Sequence, residues 1–142
     1  MNMIRCLIAA ALLAAATPAF SQEKSLYQRL GGYDAISAVV EDFGARLFTD
    51  PKLSKFFGGM STDTKALFEQ KNKNLVCNVT GGPCKIISRS AKETHAGLGI
   101  AEGDFNMVVA HLKATLDKFK VPAREQKELL DIIGSLKKDI VE

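Results

Sequence analysis

Apolar residues recur at a helical spacing of three to four positions in several separate segments of this chain, and this periodicity limits the fold more than any other feature. No segment alternates apolar and polar residues over the length of a β-strand, so we expect no sheet. Glycine pairs, Asp-Pro and Val-Pro steps and capping residues separate the periodic segments, as is typical of helix ends. The sequence therefore predicts an all-α fold.

Caps and breakers predict where the helices begin and end. The predicted starts are a Ser25–Gln28 capping box, Asp34, Asp50-Pro51, Ser61 or Thr62, a Ser90–Glu93 capping box, Asp104, and the residues after Pro122. The apolar stripes place Leu67 and Phe68 inward on the fourth helix and Phe119 inward on the sixth. Asn72 falls on the same inward face as Phe68, with Lys71 at its margin.

The first 21 residues have the pattern of an export signal. Arg5 supplies positive charge, Cys6 to Ala16 is an apolar run of suitable length, and Ala19 to Ser21 place small residues before Gln22. We expect cleavage after Ser21, which leaves one domain over residues 22–142 in the periplasm or outside the cell. An uncleaved N-terminal anchor is the alternative, although the apolar run is short for a bilayer span. No stable membrane span is expected once the signal is removed.

The charge of the remaining chain does not require a nucleic-acid partner. Residues 1–21 contain one basic residue and no acidic one, so 18 basic residues face 16 acidic residues in the rest of the chain. About 120 residues are enough to bury a core without a disulfide framework.

Cys77 and Cys84 are the two cysteines that follow the predicted signal. In an oxidising compartment, the Gly-Gly-Pro turn between them can bring them into a disulfide. A buried Cys77 with an unpaired Cys84 is the alternative. The spacings among these cysteines, His95 and His111 match no tight structural zinc pattern, so we do not expect a zinc site.

The chain has two histidines, and their positions differ. His111 lies at the flank of its apolar stripe, which favours a structural hydrogen bond. His95 ends a very short helix just before Gly97 and Gly99, where the backbone can approach a flat, bulky group. A ligand role and a structural role are both open for His95 on this pattern alone.

Five motifs occur in a characteristic order. They are Leu26-Tyr27-x-x-Leu30-Gly31-Gly32, Val39-Val40-Glu41-Asp42-Phe43, Phe56-Phe57, Gly81-Gly82-Pro83, and His95-Ala96-Gly97-Leu98-Gly99-Ile100 followed by Phe105. In this order the chain from about Leu26 to Val141 resembles the group 1 truncated haemoglobins. The resemblance implies a two-over-two α-helical sandwich around haem b, with His95 as the proximal iron ligand.

The resemblance also implies which side chains contact the haem. The apolar candidates are Phe43, Phe57, Phe68, Leu75, Phe105, Val108 and Ile133. Arg89 and Lys92, just before the proximal histidine, are candidates for pairing with the haem propionates. Solvated surface charges are the alternative for both.

The distal side departs from the family pattern. Relatives usually carry a tyrosine immediately after the residue that matches Phe43, and this chain has Gly44 there. The family's distal polar pair falls on Lys71 and Asn72, or on Gln70 in an alternative alignment. Either Asn72 alone donates a hydrogen bond to dioxygen, or Lys71 loses its proton and becomes the sixth iron ligand. A Lys71 that extends to solvent or to a propionate is the remaining alternative.

Together these features predict an exported haem protein that reversibly binds dioxygen, nitric oxide or carbon monoxide. Nitric oxide dioxygenase or peroxidase-like activity would need a separate electron donor, because a domain this small has no flavin or nicotinamide site. A haem-free helical interaction module and an envelope haem carrier are the two alternative functions.

Overall fold

The computed structural model describes residues 22–142, which form eight helices and no strand. The helices are α1 (Leu26–Arg29), α2 (Gly32–Thr49), α3 (Ser54–Phe57), α4 (Thr62–Val79), α5 (Ala91–His95), α6 (Glu102–Lys118), α7 (Ala123–Ser135) and α8 (Lys137–Ile140). The prediction of an all-α fold is confirmed for these residues. None of these helices combines the length and the hydropathy that crossing a bilayer requires. The predicted export signal, residues 1–21, lies outside the described residues.

Side-chain caps fix the starts of two of the short helices, α1 and α5. The Ser25 hydroxyl accepts a hydrogen bond from the backbone N–H of Gln28, whose side-chain oxygen accepts one from the N–H of Ser25. Ser90 and Glu93 make the same reciprocal pair at the start of α5. Both predicted capping boxes are confirmed. They matter because a helix of four or five residues is not stable alone in water.

Three other predicted caps are each wrong by three residues. The N-cap of α3 is Leu53, and Asp50 lies before it, where its carboxylate accepts from the N–H groups of Lys52 and Leu53. The N-cap of α2 is Gly31, which has a left-handed φ of 97°, and Asp34 lies in the first turn. The N-cap of α6 is Ala101, and the Asp104 carboxylate accepts a hydrogen bond from its N–H at 3.1 Å. An acidic side chain in the first turn also interacts favourably with the helix dipole. The acidic residue therefore marks the helix start correctly but not its first residue.

The long helices form two layers. α2 packs against both α4 and α6, and α6 packs against α7, which gives the expected two-over-two arrangement of α2 with α4 and α6 with α7. Leucines from α1, α6 and α7 form the core cluster, namely Leu26, Leu112, Leu116 and Leu129. Ion pairs of Arg29 with Glu125 and Glu128 connect α1 to α7.

A polar contact joins the two layers. The buried Thr115 hydroxyl donates to the Asp42 carboxylate at 3.1 Å, and Asp42 also accepts from Arg46 at 2.8 Å and from Lys118. The hydrogen bond from Lys118, followed by that from Arg46, lowers the pKa of Asp42 to about 2. Asp42 therefore stays ionised and holds α2 to α6 at ordinary pH.

Three details of the predicted helices are wrong. Leu67 is 53% exposed, because α4 packs mainly on α2 and only a narrow stripe of it is covered. Phe119 is 40% exposed, because it is the C-cap and lies beyond the last turn of α6. The predicted final helix is interrupted at Leu136, which separates α7 from α8.

Candidate functional site

α4 and α5 have different packing partners. α4 packs against α2, whereas α5 packs against α8. Cys77 is the one buried residue of α4, and α5 has no buried residue among its five. Both helices therefore keep surface that the protein's own side chains do not cover.

Most of the apolar side chains predicted to line a pocket are only half-buried. This applies to Phe43, Phe57, Phe68, Leu75, Val108 and Ile133, whereas Phe105 is 6% exposed. Phe43 and Ile133 both pack against the leucine core cluster, and the rings of Phe57 and Phe68 are in contact. Because large apolar side chains favour full burial, this half-covered set is suited to receiving another apolar group.

His95 is held in one orientation by its own helix. Its Nδ1 lies 2.7 Å from the carbonyl oxygen of Ala91, one turn earlier. A carbonyl can only accept, so Nδ1 carries the hydrogen and Nε2 keeps its lone pair. This arrangement is the one that fixes an imidazole for metal binding through Nε2.

His111 has the structural role predicted for it. Its Nε2 lies 2.7 Å from an Asp50 carboxylate oxygen, and both side chains are largely covered. The other oxygen of Asp50 accepts from the N–H groups of Lys52 and Leu53, after the end of α2. His111 thus connects α6 to the segment between α2 and α3. The hydrogen bond with His111 is the main reason that the pKa of Asp50 lies below its usual range.

Three aromatic rings fill the space among α2, α3 and α4. Phe48, Phe57 and Phe68 meet edge to face, with ring centroids 5.4 to 5.6 Å apart. Lys65 places its ammonium group 5.2 Å from the ring centroid of Phe48. Such edge-to-face pairs stabilise the fold by more than the burial of their apolar surface alone would.

The polar candidates on α4 take three different positions. The Asn72 side-chain amide donates to the carbonyl oxygen of Phe68 at 2.9 Å, so one of its two amide hydrogens is already used. Gln70 is exposed and donates to Tyr33 and Asn74, on another face of the helix. Lys71 is exposed and makes no ion pair with any residue in the range 22–142. The geometry thus favours Asn72 over Gln70 as the donor, and it leaves the Lys71 amine free.

Gly44 is buried against a carboxylate that the sequence did not single out. A Cβ atom at this position would lie 3.1 Å from Oε1 of Glu69 and 3.5 Å from a ring carbon of Phe48. The first distance is tighter than an ordinary contact, and the second is an ordinary van der Waals contact. The side chains of Glu69 and Phe48 therefore occupy the place where a larger residue 44 would begin.

Arg89 and Lys92 are both exposed, and neither side chain is ion-paired within the described part of the chain. They precede His95 by six and three residues, so they lie on the segment that carries the predicted ligand. Their guanidinium and ammonium groups are free to bind carboxylates.

The two cysteines after residue 21 are bonded to each other. The Cys77 and Cys84 sulfur atoms are 2.05 Å apart, and their Cα atoms are 5.8 Å apart. The Asn78 side-chain amide also donates to the carbonyl oxygen of Cys84 at 2.8 Å. The disulfide joins the buried end of α4 to the loop that leads into α5. Residues 22–142 contain no cluster of three or more residues suited to a metal ion.

A helical sandwich that has an unshared imidazole nitrogen and several half-covered apolar side chains has the architecture of a globin. Residues 25–142 match the bacterial-like globin family. The group 1 truncated haemoglobin of Mycolicibacterium paratuberculosis is 32% identical over 120 residues, which cover 84% of this chain and 86% of that protein.

Solved structures of truncated haemoglobins have the same fold as this chain. The 2/2 haemoglobin of a Synechococcus species gives a TM-score of 0.75 at 26% identity, and the truncated haemoglobin of Tetrahymena pyriformis gives 0.76 at 24%. Each alignment covers 83% of this chain and 98% of the other. The chain belongs to the bacterial-like globins and, within them, to the group 1 truncated haemoglobins. Membership implies a haem cofactor and haem-based binding of diatomic gases.

The residues of this chain fit a haem. His95 has a free Nε2, and six large apolar side chains are only half-covered by the rest of the protein. Arg89 and Lys92 supply unpaired positive charge for the propionates. A haem-free interaction module is not supported, because the family implies the cofactor and the donor set suits it.

Sequence reasoning missed Phe48 and Glu69. Phe48 follows Gly44 by one helical turn and lies at the margin of the apolar stripe of α2, so the periodicity does not single it out. Nothing in the sequence signals Glu69, because its position over Gly44 depends on how α4 crosses α2. The contact of Glu69 with Gly44 is therefore visible only in the tertiary structure.

Proposed function

We propose that this chain is an exported truncated haemoglobin that reversibly binds dioxygen, nitric oxide or carbon monoxide, with His95 as the proximal iron ligand. The observation that carries the proposal is the hydrogen bond from His95 Nδ1 to the Ala91 carbonyl, which leaves Nε2 available. When bound, haem b supplies an iron site for a diatomic gas. The apolar side chains named above exclude water from that site, and Arg89 and Lys92 bind its carboxylates.

The distal residues support simple gas binding more than oxidative chemistry. With Gly44 in place of the tyrosine usual in relatives, Asn72 is the polar donor on the inward face of α4. One hydrogen bond of this kind contributes about 0.5–1.5 kcal/mol, which corresponds to roughly a two- to tenfold change in gas affinity. We expect dioxygen to dissociate faster here than from relatives that keep the tyrosine.

A matched pair of histidine variants tests the proximal assignment. His95→Ala should lose normal coordination, seen as loss of the Soret band of the carbon monoxide form after reconstitution with haem. His111→Ala should keep that band, because His111 is committed to Asp50. Retention of an unchanged band in His95→Ala would refute the assignment.

Lys71 is the candidate for a sixth ligand in the absence of gas. Its ammonium group is not committed to any ion pair, and loss of a proton in an apolar slot would make the amine a ligand. The ferric spectrum should then be low-spin and should become high-spin in Lys71→Ala. Lys73→Ala is the control, because the Lys73 side chain pairs with Glu41. A wild-type ferric form that is high-spin at both neutral and alkaline pH would refute this assignment.

Export is supported by two features of different kinds. Residues 1–21 have the signal pattern, and the Cys77–Cys84 disulfide suits an oxidising compartment. The test is the mass of the protein recovered from the periplasmic fraction or the medium. Cleavage after Ser21 predicts an N-terminus at Gln22, whereas an intact N-terminus in the membrane fraction would favour the uncleaved anchor.

Nitric oxide dioxygenase or peroxidase-like turnover would need an electron donor from outside this domain. We therefore expect nitrate formation from nitric oxide to stop after one equivalent unless a reductase is added. An envelope haem carrier is the remaining alternative, and it predicts rapid haem transfer to apomyoglobin. Transfer that takes hours at neutral pH would argue against it.

A further inference from the structure

The segment that carries His95 has few attachments of its own. No residue from 85 to 99 is buried, and α5 has only five residues. A helix this short depends on outside contacts for its stability. The disulfide fixes the start of the segment at Cys84, and α5 packs on α8. The part of the segment that follows His95 must therefore be held by contacts with residues elsewhere in the chain.

The carboxylate of Glu142 provides that attachment. Its Oε1 accepts a hydrogen bond from the N–H of Gly97 at 2.8 Å, and its Oε2 accepts one from the N–H of Gly99 at 2.7 Å. The backbone N–H of Glu142 donates to the carbonyl of Ile100 at 2.9 Å. Within the described chain, no other hydrogen bond connects residues 85–99 to residues outside the range 84–101.

The glycines make this contact possible. Gly97 and Gly99 have φ of 77° and 63°, in the left-handed region that favours glycine. Their N–H groups point to one carboxylate, in the manner of the backbone concavities that bind anions. These two hydrogen bonds hold the pKa of Glu142 below its usual range.

The contact with Glu142 lies close to His95, whose ring borders an open space. Gly97 follows His95 by two residues, and the N–H of Leu98 donates back to the carbonyl of His95 at 3.2 Å. A cavity of about 100 Å³ lies between α5 and the segment 138–142, and His95 and Lys92 line it. Neighbouring side chains therefore do not enclose the His95 ring on this side.

We propose that Glu142 is a positioning residue for the proximal histidine: by holding the N–H groups of Gly97 and Gly99, it sets the height and tilt at which His95 meets the iron. This inference rests on the proposed function, because it takes His95 as the ligand. Without the carboxylate, the loop relaxes toward the cavity and the bond from His95 weakens.

Glu142→Ala and Glu142→Gln test the inference in the full haem protein. Glutamine keeps the size but has one acceptor for two N–H groups, so both variants should loosen the loop. We expect about tenfold faster amide exchange at Gly97 and Gly99 by NMR, in line with loss of hydrogen bonds to a charged group. We also expect a lower iron–histidine stretching frequency in the ferrous resonance Raman spectrum and several-fold faster haem transfer to apomyoglobin.

Asp139→Asn is the matched control. Asp139 is also a carboxylate that lines the cavity, but it accepts no hydrogen bond from residues 85–99. It should leave all three measurements unchanged.

The possible results distinguish the Glu142 contact, its positioning role and the proposed haem function. Unchanged exchange at Gly97 and Gly99 in the Glu142 variants would show that the contact is absent. Faster exchange with an unchanged Raman band would show that Glu142 stabilises the loop without positioning His95. A wild-type protein that takes up no haem would instead refute the proposed function, and the exchange experiment would still test the contact by itself.

Discussion

Two walls of the proposed haem slot are held in place by different means. The distal wall consists of α2, α3 and α4, in which two 18-residue helices pack together and three phenylalanine rings meet edge to face. The proximal wall is the segment 84–101, which is attached through the disulfide, the hydrogen bonds of Asn78 and Glu142, and the packing of α5 on α8.

The difference determines what a single substitution can do. Packing energy on the distal wall is spread over many contacts, so its position resists change and its chemistry depends on which side chains face the slot. The position of the proximal wall depends on a few discrete bonds. We therefore expect proximal substitutions to change both the stability and the ligand geometry, and distal substitutions to change the stability or the gas binding.

Breaking the disulfide should have the largest effect on stability. The bond closes a short loop, and its removal in Cys84→Ser should lower the free energy of unfolding by about 2.5 kcal/mol on the loop-entropy model. Because the loop leads into α5, haem transfer to apomyoglobin should also accelerate. Urea unfolding of the haem protein measures the first effect.

Reduction of the wild-type protein with dithiothreitol is the control and should reproduce both changes. Equal stability of the reduced and oxidised proteins would contradict the idea that the proximal wall depends on this bond.

Truncating one ring of the aromatic cluster should have the next largest effect. Phe68→Ala removes contacts with Phe48 and Phe57, and since Phe68 is half-buried we expect a loss of about 2 kcal/mol, less than a full core truncation. Phe119→Ala is the matched control, because Phe119 is 40% exposed, and it should change stability by less than about 0.5 kcal/mol. Similar losses in both variants would mean that the cluster does not stabilise the distal wall.

The sequence predicted the fold and the proximal wall better than the distal wall. The Ser90–Glu93 capping box and the family motifs placed α5 correctly, with His95 at its end, because local hydrogen bonding specifies the start of this helix. The attachment of Gly97 and Gly99 to Glu142 joins residues more than 40 positions apart, and no local pattern encodes it. The position of Glu69 over Gly44 likewise depends on the crossing of two helices. The helical periodicity of apolar residues does not predict tertiary contacts of this kind.

The ionic contact between the two layers should contribute less than either wall. Asp42→Asn removes the charge that accepts from Lys118, Arg46 and Thr115, and the exposed lysine reduces the expected loss to about 1 kcal/mol at pH 7. The pKa of Asp42 is about 2 in the folded protein and higher when unfolded, so its contribution is complete above about pH 4. The contribution disappears as the pH falls toward 2. Urea unfolding of both proteins at pH 7, 4 and 2.5 should show the difference shrinking with acid, and a difference that is constant with pH would contradict this account.

The smallest effect is expected for Gly44→Ala, in which two opposing contributions to the stability nearly cancel. Alanine in a helix interior is favoured over glycine by about 1 kcal/mol, but the new Cβ would lie 3.1 Å from Oε1 of Glu69. The Glu69 side chain can shift by a few tenths of an ångström, so Gly44→Ala should change stability by less than about 0.5 kcal/mol. In a Glu69→Ala background the same change should become stabilising, which thermal unfolding of the four proteins can measure.

Gly44→Tyr extends the argument from stability to gas binding. A tyrosine must displace Glu69 and Phe48 before its hydroxyl can enter the slot, so it should destabilise the protein by about 1–3 kcal/mol through overpacking. Only with Glu69→Ala should it slow dioxygen dissociation. Gly44→Tyr alone could instead slow dioxygen dissociation without loss of stability. That result would show that the distal wall still has space for a tyrosine side chain, and it would contradict the idea that Glu69 and Phe48 occupy this space.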